Sequence, residues 1–204
     1  MPKTSVLFAA LFAVVAFPAL TQAPQGVPTR IRGTVTKLAG HSLEVASRDG
    51  ATLTIALTPK FAVLGVAKRR LADLKPDDFV GVTSLTGKDG RQHAVEAHIL
   101  PKTLRGVVPE GQLPWDLMPH ALMTNATVAR VTAAPKGHVL HVTFKDKAAD
   151  LVVGPKTIIV AYVPGDPTLL KPGAAIFMVA FKQPDGSLKA ARVTAEKNGV
   201  KPPL

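Results

Sequence analysis

The chain has no cysteine. That absence excludes disulfide staples, thiol nucleophiles and thiolate metal sites together, so stability has to come from burial. Aromatic residues are 5% of the 204, with one Trp and one Tyr, and Phe8, Phe12 and Phe17 all fall in the N-terminal apolar stretch. A single-strand nucleic-acid surface stacks bases on aromatics in a basic groove. The remaining stripes, Phe177-Val179-Phe181 and Leu140-Val142-Phe144, read as core faces of strands, so we expect no nucleic-acid partner. Past residue 20 no apolar run approaches the roughly 20 residues of a membrane-spanning helix, which excludes a transmembrane bundle. Catalytic signatures are missing too: there is no Gly-x-Ser-x-Gly elbow, no phosphate-binding Gly-rich loop and no His-Glu-x-x-His. Asp77 and Asp78 are adjacent rather than set across a cleft, and the chain reads as a non-enzyme.

Acidic residues are few. Fourteen Asp and Glu face 25 Lys and Arg, for a formal net charge of +11. The first 23 residues read as a secretory signal: Lys3, an apolar run from Val6 to Leu20, then Thr21-Gln22-Ala23 at a cleavage site, with an uncleaved anchor as the alternative because Pro24 follows directly. The chain is expected in the periplasm or outside the cell. Losing Lys3 leaves +10 (11 − 1), a balance suited to anionic envelope polymers or lipid head groups. Lys189 and Arg192 on a late strand are the candidate contact surface, and Lys68-Arg69-Arg70 is the one run of three cations.

The chain also repeats itself. Val35, Pro59, Lys60, Leu74, Lys75, Pro76, Asp89, Gly90 and Ala94 recur 96 residues later as Val131, Pro155, Lys156, Leu170, Lys171, Pro172, Asp185, Gly186 and Ala190. Gly40-His41 recurs as Gly137-His138, one residue out of step, as a single-residue insertion would give. Within each unit, period-two alternation marks short strands: Ile31 to Lys37, Leu43 to Ser47 and Leu53 to Leu57, with Pro59 ending the third and residues 61–67 forming a fourth. Arg48-Asp49-Gly50 and Lys88-Asp89-Gly90-Arg91 are hairpin turns, since Asp-Gly accepts positive φ. Leu71 to Lys75 is a short helical turn. The fold class is all-β: two tandem small OB-like or SH3-like barrels after a signal peptide. The expected boundaries are 1–23 for the signal, 30–101 for the first barrel, 102–124 for a linker, 125–196 for the second barrel and 197–204 for a tail.

The opening Arg32-Gly33-Thr34-Val35, the Leu-Lys-Pro turn, the Asp-Gly hairpin, Trp115-Asp116 and Met123-Thr124-Asn125-Ala126-Thr127-Val128 together resemble exported bacterial proteins that carry a numbered, OB-like domain of unknown function. The resemblance covers most of the chain beyond the signal and implies export and a barrel fold. Similar chains are sometimes labelled metal-transport permeases, which this hydropathy contradicts; an accessory of such a system is what remains of that label.

The linker carries the residue types that soft-metal chemistry uses. Met118, His120 and Met123 offer two thioethers and an imidazole beside Trp115, a set suited to copper in its Cu(I) state. The competing reading makes Trp115, Leu117 and Met123 an apolar plug between the barrels, with His120 at the surface. His93 and His98 are five apart on one strand and face opposite ways unless a bulge intervenes. His41 and His138 are expected in matching turns, and His141 beside the core residues Leu140 and Val142 points outward.

Overall fold

The computed structural model describes residues 25–135 and 137–202; the expected signal lies outside them. Eleven strands follow one another: β1 Val27–Ala39, β2 Ser42–Ser47, β3 Thr52–Lys68, β4 Phe79–Thr86, β5 Gln92–Leu100, β6 Gly111–Trp115, β7 Ala121–Ala134, β8 Gly137–Phe144, β9 Lys147–Pro164, β10 Ala175–Lys182 and β11 Leu188–Ala195. The only helical pieces among the described residues are single 3-10 turns at Leu71–Asp73, Lys102–Leu104 and Pro167–Leu169. The all-β class read from the sequence holds.

Strand pairing draws two closed rings. In the first, β1 pairs β2, β2 pairs β3, β3 runs parallel to β11, β11 pairs β10, and β10 returns to β1. In the second, β7, β8, β9, β5 and β4 close the same circuit, with β9 parallel to β5. Five strands in this order, with a parallel contact between third and fifth, give a small Greek-key barrel of the OB type. Closure leaves neither ring with a free edge.

Neither ring is built from one stretch of chain. The first takes β1–β3 from residues 27–68 but its closing hairpin from residues 175–195; the second takes β7–β9 from residues 121–164 and its closing hairpin from residues 79–100. The contiguous units expected at 30–101 and 125–196 have therefore exchanged their last two strands. The registers of the two exchanged hairpins agree residue for residue. Ala190 faces Leu57 while Ala94 faces Val153, and Arg192 faces Ala62 while Glu96 faces Ile158, each pair of equivalents 96 apart.

The halves join through β3 and β9, antiparallel over Leu64–Lys68 and Val160–Pro164. Val66 faces Tyr162 there, and 162 − 66 = 96, the repeat period. A local two-fold axis therefore passes through this pair. Strands related by such an axis run antiparallel: Val66 meets its own equivalent, and Gly65 and Ala67 on either side of it meet Val163 and Ala161, each facing the equivalent of the other.

Pro59 does not end the third strand. β3 continues to Lys68, and Pro59 sits where the ladder is interrupted: β2 pairing stops at Ala56 and β11 pairing passes from Leu57 to Ala62. Pro155 occupies the matching gap between Val153 and Ile158 on β9. A residue with no N–H is tolerated in a strand only where the ladder asks none of it. The expected fourth strand is thus the second half of a bent third one.

The repeat also needs one realignment. The Val35 N–H donates to Ala174 O and the Val128 N–H to Asp78 O, both at 2.9 Å, so the structural partner of Val35 is Val128 rather than Val131. Val35 faces Val45 and Val128 faces Val142. The offset is 93 on β1/β7 and 97 on β2/β8, so the β7–β8 hairpin is longer by four residues (97 − 93), not by one. Gly40 and His41 form the turn of the short hairpin, whereas Gly137 and His138 have become the first pairs of β8, opposite Ala134 and Ala133. Gly137 has φ near +138°, and a Cβ there would stand 2.4 Å from Val153 O, so only glycine lets this hairpin lie on β9.

Each barrel has its own interior. Ile31, Val35, Val45, Ile55, Ile176 and Val193 fill the first; Val80, Val82, Val128, Leu140, Val142 and Leu151 fill the second. Phe79, Leu100 and Leu104, backed by Leu64 and Tyr162, form a third cluster where the rings meet. The inward stripe of β10 is Ile176, Met178 and Ala180, so Phe177, Val179 and Phe181 lie on the outside of the first barrel, the reverse of the expected core face. Leu140, Val142 and Phe144 are core as expected.

Candidate functional site

Trp115 ends β6, which pairs with β7 of the second barrel, yet its ring reaches the first. The Arg30 guanidinium lies 4.2 Å from the Trp115 ring centre and that of Arg32 5.4 Å, and Phe177 meets the indole edge-on at 6.1 Å. Arg32 is 6% exposed, with Phe177 5.0 Å from its guanidinium on the other side. Asp116 completes the group, accepting from both Nη atoms of Arg32 at 2.8 and 3.2 Å and lying 3.7 Å from Arg30. Partial burial works against the charged carboxyl, but the Arg32 hydrogen bonds and the charges of both arginines outweigh it and hold its pKa below the ordinary range. This assembly ties the barrels together through one aromatic ring and one bidentate ion pair.

The proposed copper ligands are spread along the β6–β7 hairpin. Met118 and His120 are in its turn, His120 exposed and at φ 61°; Met123 is buried on β7 opposite Thr83, its sulfur 3.4 Å from where a Cβ on Gly81 would stand. One side chain is in solvent and another under β4. The indole that would neighbour the metal already carries a guanidinium on its face, so a further cation meets repulsion there. Among the described residues no group of three or more His, Asp or Glu is placed to hold a metal.

A second polar group sits at the junction of the rings. A bulge between Ala94 and Glu96 leaves Ala94 and Ala97 in the core and turns Glu96 and His98 outward from the second barrel. Glu96 is 3% exposed and accepts from the Thr83 hydroxyl at 2.9 Å; His98 Nε2 lies 3.1 Å from the same carboxylate and His98 Nδ1 is 3.2 Å from the Tyr162 hydroxyl. Burial pushes the Tyr162 phenol far above its ordinary pKa, and the Glu96 carboxylate adds to this while Arg32 opposes it. His93 is far from this group, at the β4–β5 turn with both Asp89 oxygens. No strand pattern singles out Glu96 or Tyr162, and the polar cluster could not be read from sequence. His141 points outward, as expected, between Thr132 and Asp150.

The third feature is a cleft of about 680 Å³ at the mouth of the second barrel. Its walls are Arg69-Arg70-Leu71 after β3, the base of the long β7–β8 hairpin at Pro135, Gly137 and His138, and the bend of β9 from Val153 to Ile159. The lining has no acidic residue. Of the two cations singled out on β11, Lys189 is exposed, whereas Arg192 is half-buried and burial lowers its guanidinium pKa. Lys189 is thus the freer contact of the two. Comparison with protein-family profiles, with curated proteins and with solved structures finds no match.

Proposed function

We propose that this chain is an exported, non-enzymatic binding module whose cationic surface engages anionic components of the bacterial envelope. One observation carries the reading. Among the described residues, Arg30 and Arg32 are the only Lys or Arg side chains within 4 Å of a carboxylate, both on Asp116. The other carboxylate pairs in that range are with histidines: Asp89 with His93, Glu96 with His98 and Asp150 with His141. The positive excess is therefore carried by unpaired side chains, and its field reaches solvent. The exposed Lys189 belongs to that surface. The resemblance to exported OB-like proteins seen in the sequence agrees with this reading. A copper-binding accessory is the less favoured alternative, given the exposed His120, the buried Met123 and the arginine on Trp115.

The test is binding of residues 24–204 to vesicles containing phosphatidylglycerol and to an anionic polysaccharide. Binding should weaken about tenfold or more between about 50 mM and about 300 mM salt, as screening shortens the reach of the field. No salt-dependent binding to either probe would sink the proposal.

A further inference from the structure

The local two-fold axis makes the molecule its own control, because every feature of one barrel mouth has an equivalent in the other. At an offset of 96, Arg69 and Arg70 correspond to Gly165 and Asp166, and Thr157 corresponds to Phe61; at 97, on the β2/β8 side, His138 corresponds to His41. In the first barrel Phe61 packs against the core and meets His41 edge-on, ring centres 5.9 Å apart, so an aromatic pair lies at the equivalent place. Asp166 places a carboxylate there, held by the Thr168 N–H at 2.8 Å. In the second barrel the place of Phe61 is taken by Thr157, whose hydroxyl donates to Ala94 O and accepts from the Gly154 N–H and so adds no free donor. The Gly-Asp pair has become Arg-Arg, and the longer hairpin raises the wall on the His138 side.

From this contrast we infer that the mouth of the second barrel is a ligand site for an organic anion, a phosphate or carboxylate carried on a small apolar body. The inference rests on the anion-binding reading above and deepens it. Arg69 and Arg70 stand at one wall with no carboxylate within 4 Å of their guanidinium groups among the described residues; Arg69 Nη1 donates only to Lys68 O, at 2.9 Å. The nearest acid in sequence, Asp73, is taken by the Arg70 backbone N–H at 2.8 Å. A guanidinium with unused donors is the group that grips phosphate or carboxylate oxygens in pairs. His138 lies across the cleft and can supply a further ring nitrogen. Below these, Leu71, Val153 and Ile159 make an apolar floor, which favours an organic ester over a bare ion. The size agrees, since ligand clefts run roughly from 300 to 1,000 Å³.

Calorimetric titration of residues 24–204 with phenyl phosphate, with inorganic phosphate and with phosphatidylglycerol vesicles tests this. Two variants accompany the wild type: Arg69→Ala/Arg70→Ala, which removes the cations, and Thr157→Phe, which restores the first barrel's aromatic without changing charge. Phenyl phosphate should bind more tightly than inorganic phosphate, and each variant should lose about tenfold or more in affinity. A thermal melt shows whether Thr157→Phe still folds; the arginine variant, at a surface turn, serves if it does not. If only vesicles bind, and binding falls in the variants, the anion is a lipid headgroup and the site stands. If wild type and variants bind anionic probes equally, the cleft is overturned while the surface reading survives. If no probe binds the wild type, the cleft is overturned, and the surface reading falls with it only when the anionic polysaccharide also fails to bind.

Discussion

Cut between residues 109 and 110, the chain should yield two halves of which neither is a folded monomer, and which regain the native strand content when mixed one to one. Residues 24–109 retain β1–β5 but lack β10 and β11, which close the first ring, and β7–β9, on which β4 and β5 pair. Left alone, β3, β5 and β1 each expose an unpaired edge, which small proteins avoid. Halves of 86 and 95 residues (109 − 23 and 204 − 109) are also marginal in the surface each can bury. Self-association is the other route open to a half, because the contact at Val66 and Tyr162 is two-fold by construction. Sizing by light scattering together with circular dichroism checks this. Halves that run as stable, folded monomers and ignore each other when mixed would mean that each unit closes its own barrel.

Asp116→Ala should lower the melting temperature at pH 7 by more than an ordinary surface change. The substitution takes the one carboxylate from Arg32, whose guanidinium is enclosed by Phe177 and Trp115. Losing the partner of a fully buried charge costs about 3–5 kcal/mol, and the solvent already at half-exposed Asp116 reduces this to about 2 kcal/mol. For a chain of this size that is about 4–8 °C. The pH dependence follows from the depressed carboxyl pKa of Asp116. A carboxyl whose folded pKa lies below its unfolded value stabilises fully above the unfolded value, near 4, and the contribution disappears as pH falls through the folded one. The gap between wild type and variant should therefore be full at pH 7 and shrink as pH falls below about 4 toward the depressed folded value. Equal melting at pH 7 would mean that Arg32 is solvated well enough to need no partner.

Much of the fold was legible in the residues. The Asp-Gly turns are where they were expected, because Gly50 and Gly90 take the positive φ those turns require. What could not be read was which ring each hairpin joins. Val80, Val82 and Ala97 alternate in the same way whether β4 and β5 fold back on their own unit or cross to the other, since alternation reports a buried face and not whose core it meets. The Val35–Val131 match misled because the extra residues of the β7–β8 hairpin lie between strands that look alike. On β10 both faces are apolar; the larger side chains, Phe177, Val179 and Phe181, proved to be the outer ones, with Phe177 covered by Arg32 and Trp115. For the cleft, Lys68-Arg69-Arg70 was visible as the one cationic run, but its place opposite His138 depends on a bend in β3 and on the exchanged topology. Glu96 and His98 became neighbours of Tyr162 through a bulge and a parallel pairing that residue spacing does not encode.

Whether one of the two equivalent barrel mouths takes an anion and the other does not is the decisive question. Amide chemical shifts of the isotopically labelled chain, followed through a titration with phenyl phosphate, address it most directly. Saturable shifts should cluster at residues 69–71, 137–138 and 153–159, with the equivalent positions Gly40 and His41, Leu57 to Val63 and Gly165 to Pro167 unmoved. Shifts of similar size at both mouths, or scattered over exposed lysines such as Lys189 without saturation, would contradict a site confined to the second barrel.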